Sequence, residues 1–302
     1  MPEMGMSRSP FTSDEAVTVL GEACRTVGVP TSGATMIRLG ENAIFRLPAA
    51  GLIVRISRSV EVLDDARKEV LVSAWLRDAG LPAARTADIP QPIVTLSHPV
   101  TFWHPIVDTG RKARADELAA ALHQLHGLPP PTEFKLPELN MFGRVKERID
   151  QAADLDPKDL EFLRGRLAKL RTEYDDLAYS SPACAVHGDA HVQNLIVDPA
   201  GTAVLIDFER FAFGHRETDL SVTATEYEIG WHTDQEYADF CRVYGYDVRT
   251  WDGFPVLRAL NQFKMTTWLM QNVHEGPAVA EEFRNRLETL RDPSSRRRWA
   301  PF

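Results

Sequence analysis

Cysteine is scarce in this chain of 302 residues: only Cys24, Cys184 and Cys241 occur, far apart and odd in number. That excludes a disulfide framework or a Cys-x-x-Cys metal site, and a reducing cytoplasm is the expected setting. No apolar run approaches the ~20 residues that a membrane-crossing helix needs, so no membrane partner is expected. Residues 1–10 carry Glu3, Gly5 and Pro10 but no apolar stretch, and read as a flexible leader rather than a secretory signal. A basic balance is missing as well, since 34 Lys and Arg stand against 43 Asp and Glu for a net charge of −9. A nucleic-acid partner is disfavoured on that ground. The acidity fits steering of a cationic substrate or plain solubility. Internal repeats, low-complexity blocks and a Gly-x-x-x-x-Gly-Lys-Ser/Thr motif are all absent, the last excluding a P-loop nucleotide site.

What is present is ordinary for a globular protein, with 44% hydrophobic and 25% charged residues, and a length suited to one large domain or two. A helix is expected from a cap-like Ser13, with Val17, Leu20 and Cys24 on its apolar face, ending at Gly28-Val29-Pro30. Residues 36–39, 43–47 and 52–56 read as a three-strand antiparallel meander. A helix over 61–78 follows, then strands over 93–97 and 100–107. These make a small α+β lobe over 1–107. From 108 to 302 the pattern is mostly helical, with helices over 115–126, 142–152, 157–177, 218–229, 233–244, 254–273 and 277–291. Leu118, Leu122, Leu125 and His126 share a face of the first of these. A strand-loop-strand hairpin over 183–208 interrupts them, turning at Asp198-Pro199-Ala200-Gly201. Residues 293–302 read as a polar, Arg-rich tail.

The hairpin holds the chemistry. His187-Gly188-Asp189 is followed by Asn194, and Val204-Leu205-Ile206 leads into Asp207-Phe208-Glu209. A carboxylate, an amide five positions on and a second carboxylate at the end of an apolar strand suit phosphoryl transfer. One acid accepts a hydroxyl proton, while the amide and the other acid hold Mg²⁺ against a nucleotide triphosphate. Asp207 emerging from an apolar run needs a partner, and a metal supplies one. His187, Asp189 and His191 alternate, which on a strand would put them on one face and suggests a metallohydrolase, with His215 and Asp219 as further ligands.

This stretch resembles the aminoglycoside phosphotransferase family, with His-Gly-Asp where protein kinases have His-Arg-Asp and Asp-Phe-Glu where they have Asp-Phe-Gly. The resemblance extends over roughly residues 33–225. It implies a two-lobed, protein-kinase-like α+β fold, with nucleotide between the lobes and the acceptor bound by C-terminal helices. Asp189 is then the catalytic base, and His187 fixes the loop backbone. Asn194 and Asp207 are the Mg²⁺ ligands, and Asp219 ties the catalytic loop down. Arg55, closing the third strand, and Glu69, on the next helix, match the kinase Lys–Glu pair that holds the α- and β-phosphates, with Arg in place of Lys. Gly40 and Asn42 belong to the nucleotide-covering loop 39–43, and Trp103 to the interlobe hinge 102–106.

Each assignment has a plainer counterpart. Arg55 and Glu69 could be a solvated strand–helix pair, and Trp103 the core of an edge strand. Glu226 and Glu228, with Asp234, Glu236 and Asp239, could line a site for a polycationic acceptor or form an exposed helix face. Arg296, Arg297 and Arg298 read as a solvated tail. The implied activity is Mg²⁺-dependent transfer of the γ-phosphate of ATP or GTP to a hydroxyl of a small molecule. An aminoglycoside or other antibiotic is favoured, in a resistance or self-protection role. The alternatives are a kinase for choline, homoserine, an amino sugar or a similar alcohol, and a pseudokinase-like nucleotide-binding regulator. A monomer or homodimer is expected.

Overall fold

The computed structural model describes residues 11–40, 42–152, 155–292, 294 and 297–302. The 1–10 leader, Glu41 of the covering loop and Arg296 of the tail lie outside them. In chain order the elements are α1 (Ser13–Val27), β1 (Thr35–Leu39), β2 (Asn42–Leu47), β3 (Leu52–Ser57), α2 (Leu63–Asp78), β4 (Ile93–Thr95) and β5 (His98–Trp103). Then come α3 (Ala115–His126), α4 (Gly143–Gln151), α5 (Pro157–Asp175), β6 (Cys184–Val186), β7 (Leu195–Val197), β8 (Ala203–Leu205) and β9 (Ala212–Gly214). Four helices close the chain: α6 (Arg216–Glu228), α7 (Asp234–Tyr244), α8 (Phe254–Met270) and α9 (Pro277–Arg291). No helix among the described residues is long and apolar enough to cross a membrane.

Two compact units result. The first comprises Met1–Gly110 and Val197–Glu209, the second Arg111–Ile196 and Arg210–Phe302. In the first, a five-stranded antiparallel sheet runs in the order β1-β2-β3-β5-β4. Alternation decides which side chains it buries: Leu52, Val54 and Ile56 of β3 enter the core with Phe45, Leu47, Val100 and Phe102. Helix α1 seals that core through Ala16, Val19, Leu20, Ala23 and Cys24, whereas Val17 faces solvent. The residue that caps α1 is Thr12, whose hydroxyl accepts from the Glu15 N–H at 3.2 Å; Ser13 is already helical. Strand β8 also belongs here, since Leu205 N–H donates to Pro82 O at 2.9 Å and Leu205 O accepts from Ala84 N–H at 2.8 Å.

The second unit is helical, with a core of Leu163, Leu167, Leu170, Leu260, Phe263, Phe283 and Leu287 among others. Leu118, Leu122 and Leu125 of α3 are fully buried, as their spacing predicts.

Several local readings are corrected. The 183–208 hairpin is two pairings rather than one: β6 joins β9 and β7 joins β8. Strand β6 ends at Val186, so His187, Asp189 and His191 lie in a loop and the strand alternation proposed for them does not apply. The strands over 93–97 and 100–107 are β4 and β5, joined by Leu96 and Ser97, both left-handed at φ 50 and 67°. A two-residue hairpin turn with both residues at positive φ usually carries Asn or Gly, so Leu-Ser gives no turn signal. The tail is not wholly solvated, because Trp299 is buried and its N–H donates to Ile229 O at 3.2 Å.

Candidate functional site

In the first unit the chemistry gathers on Arg55. It pairs with Ile44 on β2 and Thr101 on β5, on the sheet face opposite Val54 and Ile56. Glu69 lies on the buried face of α2 among Ala66, Val72 and Leu76, where an acid without a partner would be costly. Its Oε2 accepts from Arg55 Nη1 at 2.5 Å. The Asn42 amide oxygen faces the same guanidinium, accepting from Nη2 at 2.9 Å and Nε at 3.1 Å, while its nitrogen donates to Ser57 Oγ. Glu209 Oε2 stands 3.6 Å from Arg55 Nη2, and Lys68 Nζ donates to Glu209 O at 2.5 Å. Gly40 ties the covering loop, donating to Asn42 O at 3.1 Å and accepting from Arg58 Nη2 at 2.6 Å. Arg55, Glu69, Asn42 and Glu209 thus form one ion-pair cluster.

Burial pushes the Glu69 carboxyl up to about 7, with Arg55 opposing and the charges of Asp207 and Glu209 adding to the rise. Asp207 follows β8 with left-handed backbone at φ 62°. Asp tolerates that region better than most residues, yet it costs about 1–3 kcal/mol and marks a position held for its side chain. In the segment 102–106, the Trp103 indole donates to Thr101 Oγ1 at 2.9 Å and its ring lies 6.1 Å from that of Phe208. Phe102 N–H is taken by Gln91 Oε1 and His104 N–H by Arg85 O, and Pro105 has none.

In the second unit the loop after β6 is held from behind. Asp219, buried on α6, accepts from His187 N–H at 2.7 Å and Gly188 N–H at 2.9 Å. Its Oδ2 also accepts from His126 Nε2 at 3.1 Å, and His126 Nδ1 meets the Tyr244 hydroxyl at 2.8 Å. Burial is the largest influence on Asp219 and raises its pKa. The hydrogen bond and charge of His126, with the contacts from His187, outweigh it and hold the carboxyl below the usual carboxylate range. Gly188 has φ 77°, and a Cβ there would sit 2.3 Å from Arg210 O. Only glycine fits.

Asp189 is thereby aimed outward, its side chain 42% exposed, with Arg210 Nε and His191 Nε2 each 3.9 Å from Oδ2. Asn194 is buried and spends its amide nitrogen on Asp189 O at 2.8 Å. That leaves the amide oxygen as the acceptor of this side chain. Among the described residues no group of three His, Cys, Asp or Glu side chains could hold a metal. The ligand set demanded by the His-x-Asp-x-His metallohydrolase is therefore not assembled there.

Glu226 and Glu228 are both on α6 in this unit. Glu226 is buried and meets His232 Nε2 at 3.1 Å, and Glu228 accepts from Arg258 Nη1 at 2.7 Å. Asp234, Glu236 and Asp239 likewise have local partners in Tyr227, Thr233 and Arg242.

Two residues were given no role in the sequence. His126 had a signal, as a histidine on a leucine face that needs a buried acceptor. Lys264 had one too, being one of two charged residues on the otherwise apolar or neutral α8.

The sequence pattern of the phosphotransferase enzyme family matches residues 40–260. Among proteins with curated descriptions, none matches this sequence. Among solved structures, the amicoumacin kinase hAmiN, in complex with AMP-PNP, Ca²⁺ and Ami, is 14% identical with a TM-score of 0.72, over 94% of this chain and 95% of that one. Aminoglycoside phosphotransferase APH(3'')-Id from Streptomyces rimosus is 19% identical with a TM-score of 0.58, over 81% and 98%. Choline kinase LicA from Streptococcus pneumoniae is 15% identical with a TM-score of 0.62, over 90% and 99%. At these identities the structures show a shared kinase-like fold, and the family pattern covers most of the chain with the His-Gly-Asp loop, Asn194, Asp207 and Asp219 inside it. On that match the chain belongs to the phosphotransferase enzyme family.

Proposed function

We propose that this protein transfers the γ-phosphate of ATP or GTP to a hydroxyl of a small molecule, with Asp189 as the base. The observation that carries the reading is the clamp on the loop 187–189: three hydrogen bonds to Asp219 and an obligatory Gly188 hold the Asp189 carboxylate at a fixed, open position. As the acceptor oxygen forms its bond to the γ-phosphorus, the bridging P–O bond breaks, the nucleoside diphosphate leaves and Asp189 takes the proton. We assign Asn194 and Asp207 to Mg²⁺, which when bound neutralises charge on the phosphates. His187 contributes its backbone N–H to the clamp.

Arg55, oriented by Glu69 and Asn42, is assigned to the α- and β-phosphates. Glu209, at 3.6 Å, is the group a phosphate would displace. Gly40 is assigned to the loop over the phosphates and Trp103 to the purine. Both acceptor classes of the family remain in play, antibiotics and simple alcohols. The local pairing of Glu226, Glu228 and their neighbours weakens the argument for a polycationic acceptor, which favours the alcohol.

The test is Asp189→Ala. Turnover should fall by about 10² or more while AMP-PNP binding is retained. Unchanged turnover would remove Asp189 from its role. Turnover by wild type without any nucleotide would point to hydrolysis instead, and nucleotide binding without turnover on any acceptor to a regulator.

A further inference from the structure

Asp207 is fixed through the main chain on either side of it, while its own side chain is left open. The carboxylate is exposed and makes no hydrogen bond or ion pair among the described residues, and the backbone is left-handed at φ 62°. Contacts of the side chain therefore do not keep the residue in that conformation, and its anchors lie in its neighbours. Two positions earlier, Leu205 makes backbone hydrogen bonds to Pro82 and Ala84 at 2.9 and 2.8 Å. That segment is itself tied to α2. The buried Ser73 donates its hydroxyl to Ala84 O at 2.8 Å and accepts from Thr86 N–H at 3.1 Å.

Two positions after Asp207, Lys68 of the same helix donates to Glu209 O at 2.5 Å. Phe208, the residue between, is buried. The Lys68 side chain is 13% exposed, so its ammonium has lost most of its water and the carbonyl replaces part of it. Its other contact is Asp65 at 3.3 Å, three residues earlier on the helix and 52% exposed, which is the geometry of a weak surface pair. Such a pair does not call for a lysine turned inward to a main-chain oxygen 141 residues away.

We propose that Lys68 is a positioning residue for Asp207: by holding Glu209 O it fixes the exit of the turn, as Leu205 fixes its entry, and keeps the carboxylate where a divalent cation is bound. This rests on the phosphotransfer reading above, in which Asp207 takes Mg²⁺. Lys68 acts through the main chain, as a hydrogen-bonded partner behind a metal ligand does. The next residue, Glu69, orients Arg55, so adjacent positions of α2 set the cation for the phosphates and the carboxylate for the metal.

The test reads metal-dependent binding apart from turnover, so it needs no acceptor. Mn²⁺ shares the preference of Mg²⁺ for oxygen donors, and binding of Mn–AMP-PNP is followed by water-proton relaxation. Binding of trinitrophenyl-ATP in EDTA, followed by fluorescence, reports the nucleotide site without metal. Loss of a partner behind a ligand weakens metal binding by about 10–100-fold, so Lys68→Met should raise the Kd of Mn–AMP-PNP about tenfold or more. Its trinitrophenyl-ATP Kd should stay within about threefold of wild type. Lys68→Arg, which keeps a charged donor, should restore Mn–AMP-PNP binding, and Asp65→Asn should leave both values unchanged. Circular dichroism checks each fold; Lys68→Gln, shorter and uncharged, should show a smaller loss of the same kind and replaces Lys68→Met should that variant unfold.

An unchanged Kd for Mn–AMP-PNP in the folded variant overturns the proposal. So does an equal loss in both titrations, which would assign Lys68 to the nucleotide itself, or an equal loss in Asp65→Asn, which would assign the effect to the helix surface. Wild-type protein that binds AMP-PNP no more tightly with Mn²⁺ than in EDTA would instead sink the metal reading beneath it.

Discussion

Asp219→Asn tests whether the clamp holds the catalytic loop. The wild-type carboxylate, itself buried, accepts from His187 N–H, Gly188 N–H and His126 Nε2, all at 2.7–3.1 Å. A hydrogen bond to a charged group contributes about 1.5–3 kcal/mol. Three bonds to one acceptor are not independent, so their sum is a ceiling. An asparagine keeps one oxygen as acceptor and turns an NH₂ toward a donor that lost its partner. The expected loss is about 2–4 kcal/mol, and Asp219→Ala should lose more, against a typical total of about 5–15 kcal/mol.

The assay is urea unfolding followed by far-ultraviolet circular dichroism, across pH. The folded Asp219 carboxyl titrates below its ordinary range. Its ionic contribution is thus present above the unfolded-state pKa of about 4 and is lost as pH falls through the folded value. The gap between wild type and Asp219→Asn should be constant from pH 5 to 8 and close in strong acid, with kcat lowered at neutral pH. A variant within about 0.5 kcal/mol of wild type across that neutral range would refute the clamp.

Other outcomes follow from the same geometry. In metal-free protein Glu69 works in the opposite sense: its folded pKa of about 7 is raised, so its contribution is full below about 4.5 and lost as pH rises through 7. The loss is on the order of 3 kcal/mol and should be missing in Glu69→Gln, as urea midpoints between pH 5 and 8 will report. Gly188→Ala places a Cβ against Arg210 O in a left-handed residue and should cost about 3 kcal/mol or more, read as a lower Tm. Trp299→Ala should cost about 3–5 kcal/mol by the same measurement, since the indole is buried and its Nε1–H donates to Thr289 Oγ1 at 3.4 Å. Asp207→Asn should abolish activity at ordinary Mg²⁺ while leaving the circular dichroism spectrum unchanged, and full activity would remove Asp207 from the metal.

The parts legible in the sequence are those written in local spacing. The leucine stripe of α3 and the alternation of β3 each sit within a few turns or one strand. What escaped depends on contacts between distant segments. Strand β9 is three residues long and exists because Cys184–Val186 needs a partner. His126 matters because Asp219, 93 residues later, is buried against it. Glu69 could be read as exposed because α2 has little amphipathic contrast; only its place between Ala66 and Val72 shows it to be inside. Trp299 was masked by the arginines before it, and its burial depends on Ile229, Trp231 and Thr289.

The first unit is drawn from two stretches of chain, with Val197–Glu209 returning to it long after Gly110. A gene fragment stopping at residue 110 would omit Leu205, leaving Pro82 O and Ala84 N–H without the backbone partners that strand provides. It would also omit Glu209, one of the carboxylates beside Arg55. Chimeras with relatives should therefore exchange both stretches together. Transplanting the N-terminal segment alone would graft a guanidinium into a setting where part of its counter-charge comes from another parent.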